Sequence, residues 1–287
     1  EKTFLSILGR VNYDFDGKYL LSVTARRDGS SVFGRNKRWG LFPAVSLGYN
    51  ISEEPFFDGI KETVNYLKIR ASYGVSGNAE IGNYAWVSNY AQANYNGASG
   101  ITLANIGDDE LGWESALQTN IGLSMQMFDG KFRLDVDVYE KLTQDLLLPY
   151  PVTVLSGLTQ VTTNLGEIKN EGIEAMVGVT LVDKDDFTWD AELTYAWNTN
   201  EVIDIGDNAE GIDIPGFGTT SIYIGKPIGI QTIPIWVGVE PATGQDIYQA
   251  LDGRHLTVAE AASEFGSLNN FLNANRVPFG NPYPDFT

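Results

Sequence analysis

The sequence contains no cysteine among its 287 residues. That excludes a disulfide framework, a thiol nucleophile and thiolate metal sites. A single histidine, His255, rules out His/Cys metal centres by count. Any Ser-His-Asp catalysis would have to centre on it. It stands in Asp252-Gly253-Arg254-His255, which reads as a solvated polar loop. Positive charge is scarce: 19 Lys and Arg against 37 Asp and Glu leave a net charge of −18. The densest basic run is Arg35, Lys37 and Arg38, too little to track a phosphate backbone, so no nucleic-acid partner is expected. No apolar run reaches about 18 residues, which excludes a membrane-spanning helix. No glycine loop ending in Lys-Ser/Thr is present to cradle phosphate. Glu1-Lys2-Thr3 leads straight into a strand-like pattern with no leader before it, so the expectation is a piece that begins inside a fold. The acidic clusters Asp108-Asp109-Glu110 and Asp183-Asp185-Asp186 lack the spacing of a calcium loop and read as solvated charge. No enzyme activity and no cofactor or metal are expected.

What the sequence has is alternation. Along 5–15, Leu5, Ile7, Val11, Tyr13 and Phe15 alternate with Ser6, Arg10, Asn12 and Asp14. Side chains alternate across a strand, so one face is apolar and the other polar. Asp16-Gly17 is a hairpin signal, and 19–27 repeats the pattern. So do 41–51, 67–76, 117–127, 132–141, 173–182 and 187–198. This predicts about eight strands of about 10 residues, the length that crosses a bilayer core when tilted. Soluble sandwiches favour shorter strands.

The polar faces carry full charges in mid-strand: Arg10, Arg26, Lys68, Arg70, Arg133, Asp135, Asp137, Lys141, Glu174, Asp190 and Glu192. Facing lipid at mid-depth, Lys or Arg would cost about 2–4 kcal/mol each and Asp or Glu somewhat less. In a barrel they must therefore face a watery lumen. Tyr19, Leu21, Val23, Leu67, Ile69, Leu123, Val136, Val177 and Leu193 take the opposite face. Connections alternate between short turns at Asp16-Gly17, Asp129-Gly130 and Asp183–Asp186 and long excursions at 28–38, 77–113 and 145–171, the asymmetry of periplasmic turns and external loops. The link at 52–65 falls on the short side by parity yet is long. Tyr13, Phe15, Tyr19, Phe128, Phe132, Phe187 and Trp189 flank the short turns, as an interfacial girdle would.

From about residue 200 the alternation ends. Ile233–Val239 is a short apolar run, and Thr257 with Glu260 could cap a helix running to Phe265. The division expected is 1–199 as barrel wall and 200–287 as a long extracellular loop region.

Several stretches carry a family resemblance. Arg27-Asp28-Gly29-Ser30-Ser31-Val32-Phe33-Gly34 followed by Arg38-Trp39-Gly40-Leu41-Phe42-Pro43-Ala44 resembles a signature of the SusC-type TonB-linked outer-membrane transporters. Leu67-Lys68-Ile69-Arg70-Ala71-Ser72-Tyr73-Gly74 with Gly77-Asn78 resembles the next. Trp113-Glu114 with Asn120-Ile121-Gly122, Tyr139 with Thr143-Gln144-Asp145-Leu146-Leu147, and Asn164-Leu165-Gly166 through Asn170-Glu171-Gly172-Ile173-Glu174 follow in family order. Beyond 200 the match is looser, through Gly225-Lys226-Pro227-Ile228-Gly229 and Gly280-Asn281-Pro282-Tyr283-Pro284.

The resemblance implies an all-β fold, an antiparallel transmembrane β-barrel wall in the Gram-negative outer membrane. These eight strands would be part of a barrel of 22 that follows a plug. Partners implied are a SusD-type surface lipoprotein, TonB acting through the plug, outer-membrane lipid, and a glycan or peptide substrate. Two other functions compete: a β-rich surface-binding or adhesin protein without transport, and an outer-membrane enzyme. A transporter exposes its apolar band, whereas a soluble adhesin buries apolar faces between two sheets. Candidate substrate or partner contacts are Tyr84, Trp86, Tyr90 and Tyr95, aromatic rings set among Asn, Gln and Gly.

Overall fold

The structure is a computed structural model. It describes residues 2–280 apart from 153–154, 156, 159, 207–211 and 214–219. In chain order its strands begin β1 (Phe4–Phe15), β2 (Tyr19–Ser30), β3 (Trp39–Asn50), β4 (Val64–Asn78), β5 (Asn89–Tyr95) and β6 (Ala98–Asn105). They continue β7 (Glu114–Met127), β8 (Phe132–Gln144), β9 (Leu147–Pro151), β10 (Gln160–Asn164), β11 (Glu167–Lys184) and β12 (Phe187–Asp204). The chain divides into two compact units, Glu1–Gly206 and Asp207–Thr287.

The first unit is built on one antiparallel sheet of 8 strands in the order β1-β2-β3-β4-β7-β8-β11-β12. Each long strand pairs with the next long strand, and β5–β6 and β9–β10 are separate hairpins inside two of the excursions. The alternation that fixes each strand also fixes the register, because a slip of one residue would reverse every side chain. The strands run 12 to 18 residues, longer than a bilayer needs. Their extra length lies toward the long loops, where positions on the otherwise apolar face turn polar: Lys169 and Glu171 on β11, Glu201 on β12.

The short turns follow from local chemistry. Asp16 and Gly17 take φ of 57° and 67°, the left-handed values that a hairpin turn matched to strand twist requires. The Lys18 N–H closes that turn on the Phe15 carbonyl at 3.0 Å. The long link between β3 and β4 forms two short 3₁₀ turns, Ile51–Glu53 and Pro55–Ile60, with Ser52 and Phe57 buried. Ile51 therefore begins this link and does not extend β3. The link is tied to the β7–β8 turn: Phe128 N–H donates to the Thr63 carbonyl at 2.9 Å, and Asp129 N–H to Asn65 Oδ1 at 2.6 Å.

The second unit holds β13 (Ile212–Asp213), β14 (Thr220–Ile222), β15 (Ile230–Val239), β16 (Asp246–Gln249), β17 (His255–Thr257), helices α1 (Val258–Phe265) and α2 (Leu268–Ala274), and β18 (Arg276–Gly280). The run Ile233–Val239 lies in β15, which pairs with β14, β16 and β18. His255 opens β17 and is exposed. Thr257 caps α1 in a capping box with Glu260, and Gly266 ends the helix at φ 77°, as left-handed C-terminal caps do. Ala250, Leu256, Ala261 and Phe271 form a buried core, with Phe265 edge-on to Phe271 at 5.2 Å. Of the terminal stretch 280–284, residues 281–284 lie outside the described residues.

Candidate functional site

The two faces of the sheet separate by chemistry. One hydrogen-bonded row runs Phe15, Tyr19, Tyr49, Ile69, Leu123, Val136, Ala175 and Tyr195 across all eight strands. The neighbouring row, Tyr13, Leu21, Leu47, Ala71, Ile121, Val138, Ile173 and Trp197, is equally apolar. This face stands open, with Val11 69% and Leu193 70% exposed. An apolar surface that wide on one sheet marks contact with something other than water.

The other face collects the charges. Arg70, Asp137 and Glu174 fall in one row. The Arg70 guanidinium pairs with Asp137, two strands away, and donates to Ser124; Ser124 in turn donates to Asp135 at 2.6 Å. The link crosses β7 over Gly122, where a Cβ would come within 2.5 Å of both Arg70 Nε and Asp137 Oδ1. Gly122 thus gives the two charged side chains a path across the intervening strand. Further along, Thr180 donates to Asp190 at 2.6 Å, and Arg26 Nε to Asp28 at 2.8 Å. Every face assignment made for the charged residues agrees with this register.

The aromatic residues at the β1–β2 and β11–β12 turns do not share a hydrogen-bonded row. Phe187, at the β11–β12 turn, lies 8 residues before Tyr195, which shares a row with Tyr19 at the β1–β2 turn. Over the six strand steps from β2 to β12 that stagger is a climb of about 26 Å across about 29 Å of sheet, from about 3.3 Å per residue and about 4.8 Å per strand. If the turn aromatics share one depth, the strands lean about 40°, the inclination of membrane barrels.

At the long-loop end, the β2–β3 loop folds over a small core. Phe33 and Leu111 are fully buried. Trp113 packs against Phe33, Phe4 and Phe42 at 4.9, 5.9 and 5.3 Å, and its Nε1–H donates to the Arg38 carbonyl at 3.1 Å. Gly34 N–H donates to the Leu111 carbonyl at 2.8 Å, and a Cβ on Gly34 would overlap the Asp109 backbone. Asn164 joins a further excursion to this cluster. It accepts from Gly112 N–H at 2.6 Å and donates to the Gly112 and Asp145 carbonyls at 3.0 and 2.9 Å.

The candidate contact residues divide. Trp86 is half-buried, and the guanidiniums of Arg35 and Arg38 lie over its ring at 5.8 and 5.4 Å. Tyr84 and Tyr90 are 58% and 67% exposed. Tyr95 ends β5, and its side chain lies outside the described residues. Sequence reasoning missed Arg35 and Arg38 as neighbours of Trp86. The available signal was their place in the densest basic run of an acidic chain.

The TonB dependent receptor-like, β-barrel family model matches residues 2–271, so the chain belongs to that family, a family of receptors and not of enzymes. It is 32% identical over 219 residues to the TonB-dependent receptor SusC of Bacteroides thetaiotaomicron, covering 72% of this chain and 22% of SusC. It is 36% identical over 213 residues to the TonB-dependent receptor P39 of Formosa agariphila, covering 74% of this chain and 20% of that protein. Among solved structures, the RagAB peptide transporter superposes with a TM-score of 0.81 at 26% identity, over 98% of this chain and 30% of the other. The chain thus spans between a fifth and a third of the length of these proteins. Its eight-stranded sheet belongs to an outer-membrane β-barrel of Gram-negative type, of the SusC kind, and the open apolar face has the character of a lipid face.

Proposed function

We propose that this segment forms part of the wall of a TonB-dependent importer of glycans or peptides. In this reading a SusD-type lipoprotein helps to capture the cargo, and TonB supplies energy through a plug. Residues 1–199 are the wall and 200–287 an extracellular loop region. The observation that carries the reading is the single eight-stranded sheet with an open apolar band on one face and a connected charge network on the other. An adhesin sandwich would bury that band between two sheets. Tyr84, Trp86, Tyr90 and Tyr95 are the proposed contacts with cargo or lipoprotein, since aromatic rings beside amides offer apolar area and hydrogen bonds together. The test is calorimetry on the full-length receptor. Trp86→Ala should weaken binding of cargo or lipoprotein while barrel insertion stays intact. Unchanged affinity for both would remove the loop from the functional account.

A further inference from the structure

We propose that Arg35 and Arg38 seat the anionic groups, carboxylate or sulfate, of an acidic glycan. The inference rests on the reading of segment 77–113 as cargo-facing and goes on to the chemistry of the cargo. Both guanidiniums lie over the Trp86 ring and both side chains are exposed. Neither has a carboxylate partner among the described residues, although Asp and Glu outnumber Lys and Arg 37 to 19. The ion pairs nearby use other cations: Arg26 with Asp28, and Lys37 with Glu110. Glu110 also accepts from Asn36 at 2.6 Å, and Asp108 accepts from the Glu110 N–H at 2.8 Å. Among the described acids of segment 77–113, the carboxylates of Glu80 and Asp109 make no such bond, and neither pairs with Arg35 or Arg38.

A guanidinium held over an indole by a cation–π contact still has N–H donors free for a ligand. Carboxylate and sulfate oxygens match that fork. The platform is also held in advance. Asn105 Nδ2 donates to the carbonyls of Ala85 and Val87 at 2.7 and 3.0 Å, and the Asp108 N–H to the Trp86 carbonyl at 3.0 Å. Both sides of Trp86 are therefore fixed before a ligand arrives, which lowers the entropy lost on binding.

Tyr84 sits beside it at φ 65°, a backbone conformation that bulky L residues rarely adopt and that tends to gather at binding sites. The exposed rings of Tyr84 and Tyr90, with Asn83 and Asn89 next to them in sequence, suit pyranose faces and hydroxyls. Rings bordered by amides offer apolar area and hydrogen bonds together, which favours a sugar over an acidic peptide.

The experiment uses the full-length receptor with its lipoprotein. The probes are a panel of uronate- and sulfate-bearing oligosaccharides, neutral oligosaccharides of matched length, and acidic peptides. Wild type should retain acidic oligosaccharides. The pair Arg35→Gln and Arg38→Gln should weaken them by at least about tenfold, as loss of charge-assisted hydrogen bonds does, and spare the neutral ones. High salt should narrow that difference. Heat-dependent gel mobility checks that each variant barrel is folded. The proposal is overturned if wild type retains no acidic oligosaccharide, if acidic peptides bind in their place, or if the pair leaves acidic binding unchanged or weakens neutral and acidic sugars alike. The underlying loop reading fails separately, when Trp86→Ala and Tyr90→Ala leave every ligand's affinity unchanged.

Discussion

Tyr19 and Tyr49 stack ring on ring, centroids 5.0 Å apart and planes 6° apart, and both hydroxyls donate to the Glu54 carboxylate at 2.7 and 3.3 Å. Lys18 reaches the same carboxylate at 3.5 Å. This relationship accounts for the long link between β3 and β4. The link folds back under the strands, and Glu54 fastens it to the interfacial aromatics. Tyr and Trp favour such a level because the ring is apolar and the tip polar.

A pH dependence follows. The hydrogen bond from Tyr19 and the charge of Lys18 hold the Glu54 carboxyl below its ordinary range. A carboxyl whose folded pKa is depressed adds stability above its unfolded pKa, and that stability is lost as pH falls through the folded value. The melting temperature of the full-length receptor should therefore exceed that of Glu54→Gln at pH 7, and the gap should close in the acid range below about pH 4. Thermal unfolding in detergent at both pH values measures it. A gap independent of pH would show that the contact acts through shape alone.

How much of this was legible in the sequence depended on the range of the interaction. The wall was readable because period-two alternation is local: Leu67 to Ser76 announces its faces without a partner. The strand ends beyond the bilayer were not, because Glu140, Glu171 and Lys169 interrupt the apolar side where lipid stops. The β5–β6 hairpin carries no strand signal in the sequence, since Asn89–Tyr95 is rich in Asn, Gln and Ala and lacks apolar alternation. The buried rim of Phe33, Leu111 and Trp113 joins residues some 80 positions apart in sequence. Aromatic content alone carries no such pairing. The placement of Arg35 and Arg38 over Trp86 is hidden for the same reason.

The rim makes a second prediction. Phe33 is fully buried, so Phe33→Ala should cost about 3–5 kcal/mol locally. Gly34→Ala should loosen the same contact by steric overlap with Asp109. Both changes act on loops, so the sheet should survive. Hydrogen exchange should rise over 31–38 and 108–113 and stay unchanged over β4 and β7. Faster exchange spread evenly through the wall would mean that the rim core supports the whole sheet.

The last prediction concerns depth. Tyr19 and Tyr195 belong to one hydrogen-bonded row, linked strand by strand through Tyr49, Ile69, Leu123, Val136 and Ala175. In a flat sheet standing upright they would lie at one depth. In a wall leaning about 40° they cannot. Eight residues separate Tyr195 from Phe187, the ring that shares the turn level with Tyr19. At about 3.3 Å per residue and that inclination, Tyr195 should stand about 20 Å farther from the short-turn interface than Tyr19 does. That would place Tyr195 near the opposite boundary of the apolar band, with Trp197 just beyond it. Spin labels at positions 19, 187 and 195 of the full-length receptor in bilayers, read by depth-dependent relaxation, measure this directly. Positions 19 and 187 should report one depth and position 195 another. Equal depths at 19 and 195 would mean that the strands do not lean and that the turn aromatics mark no common plane.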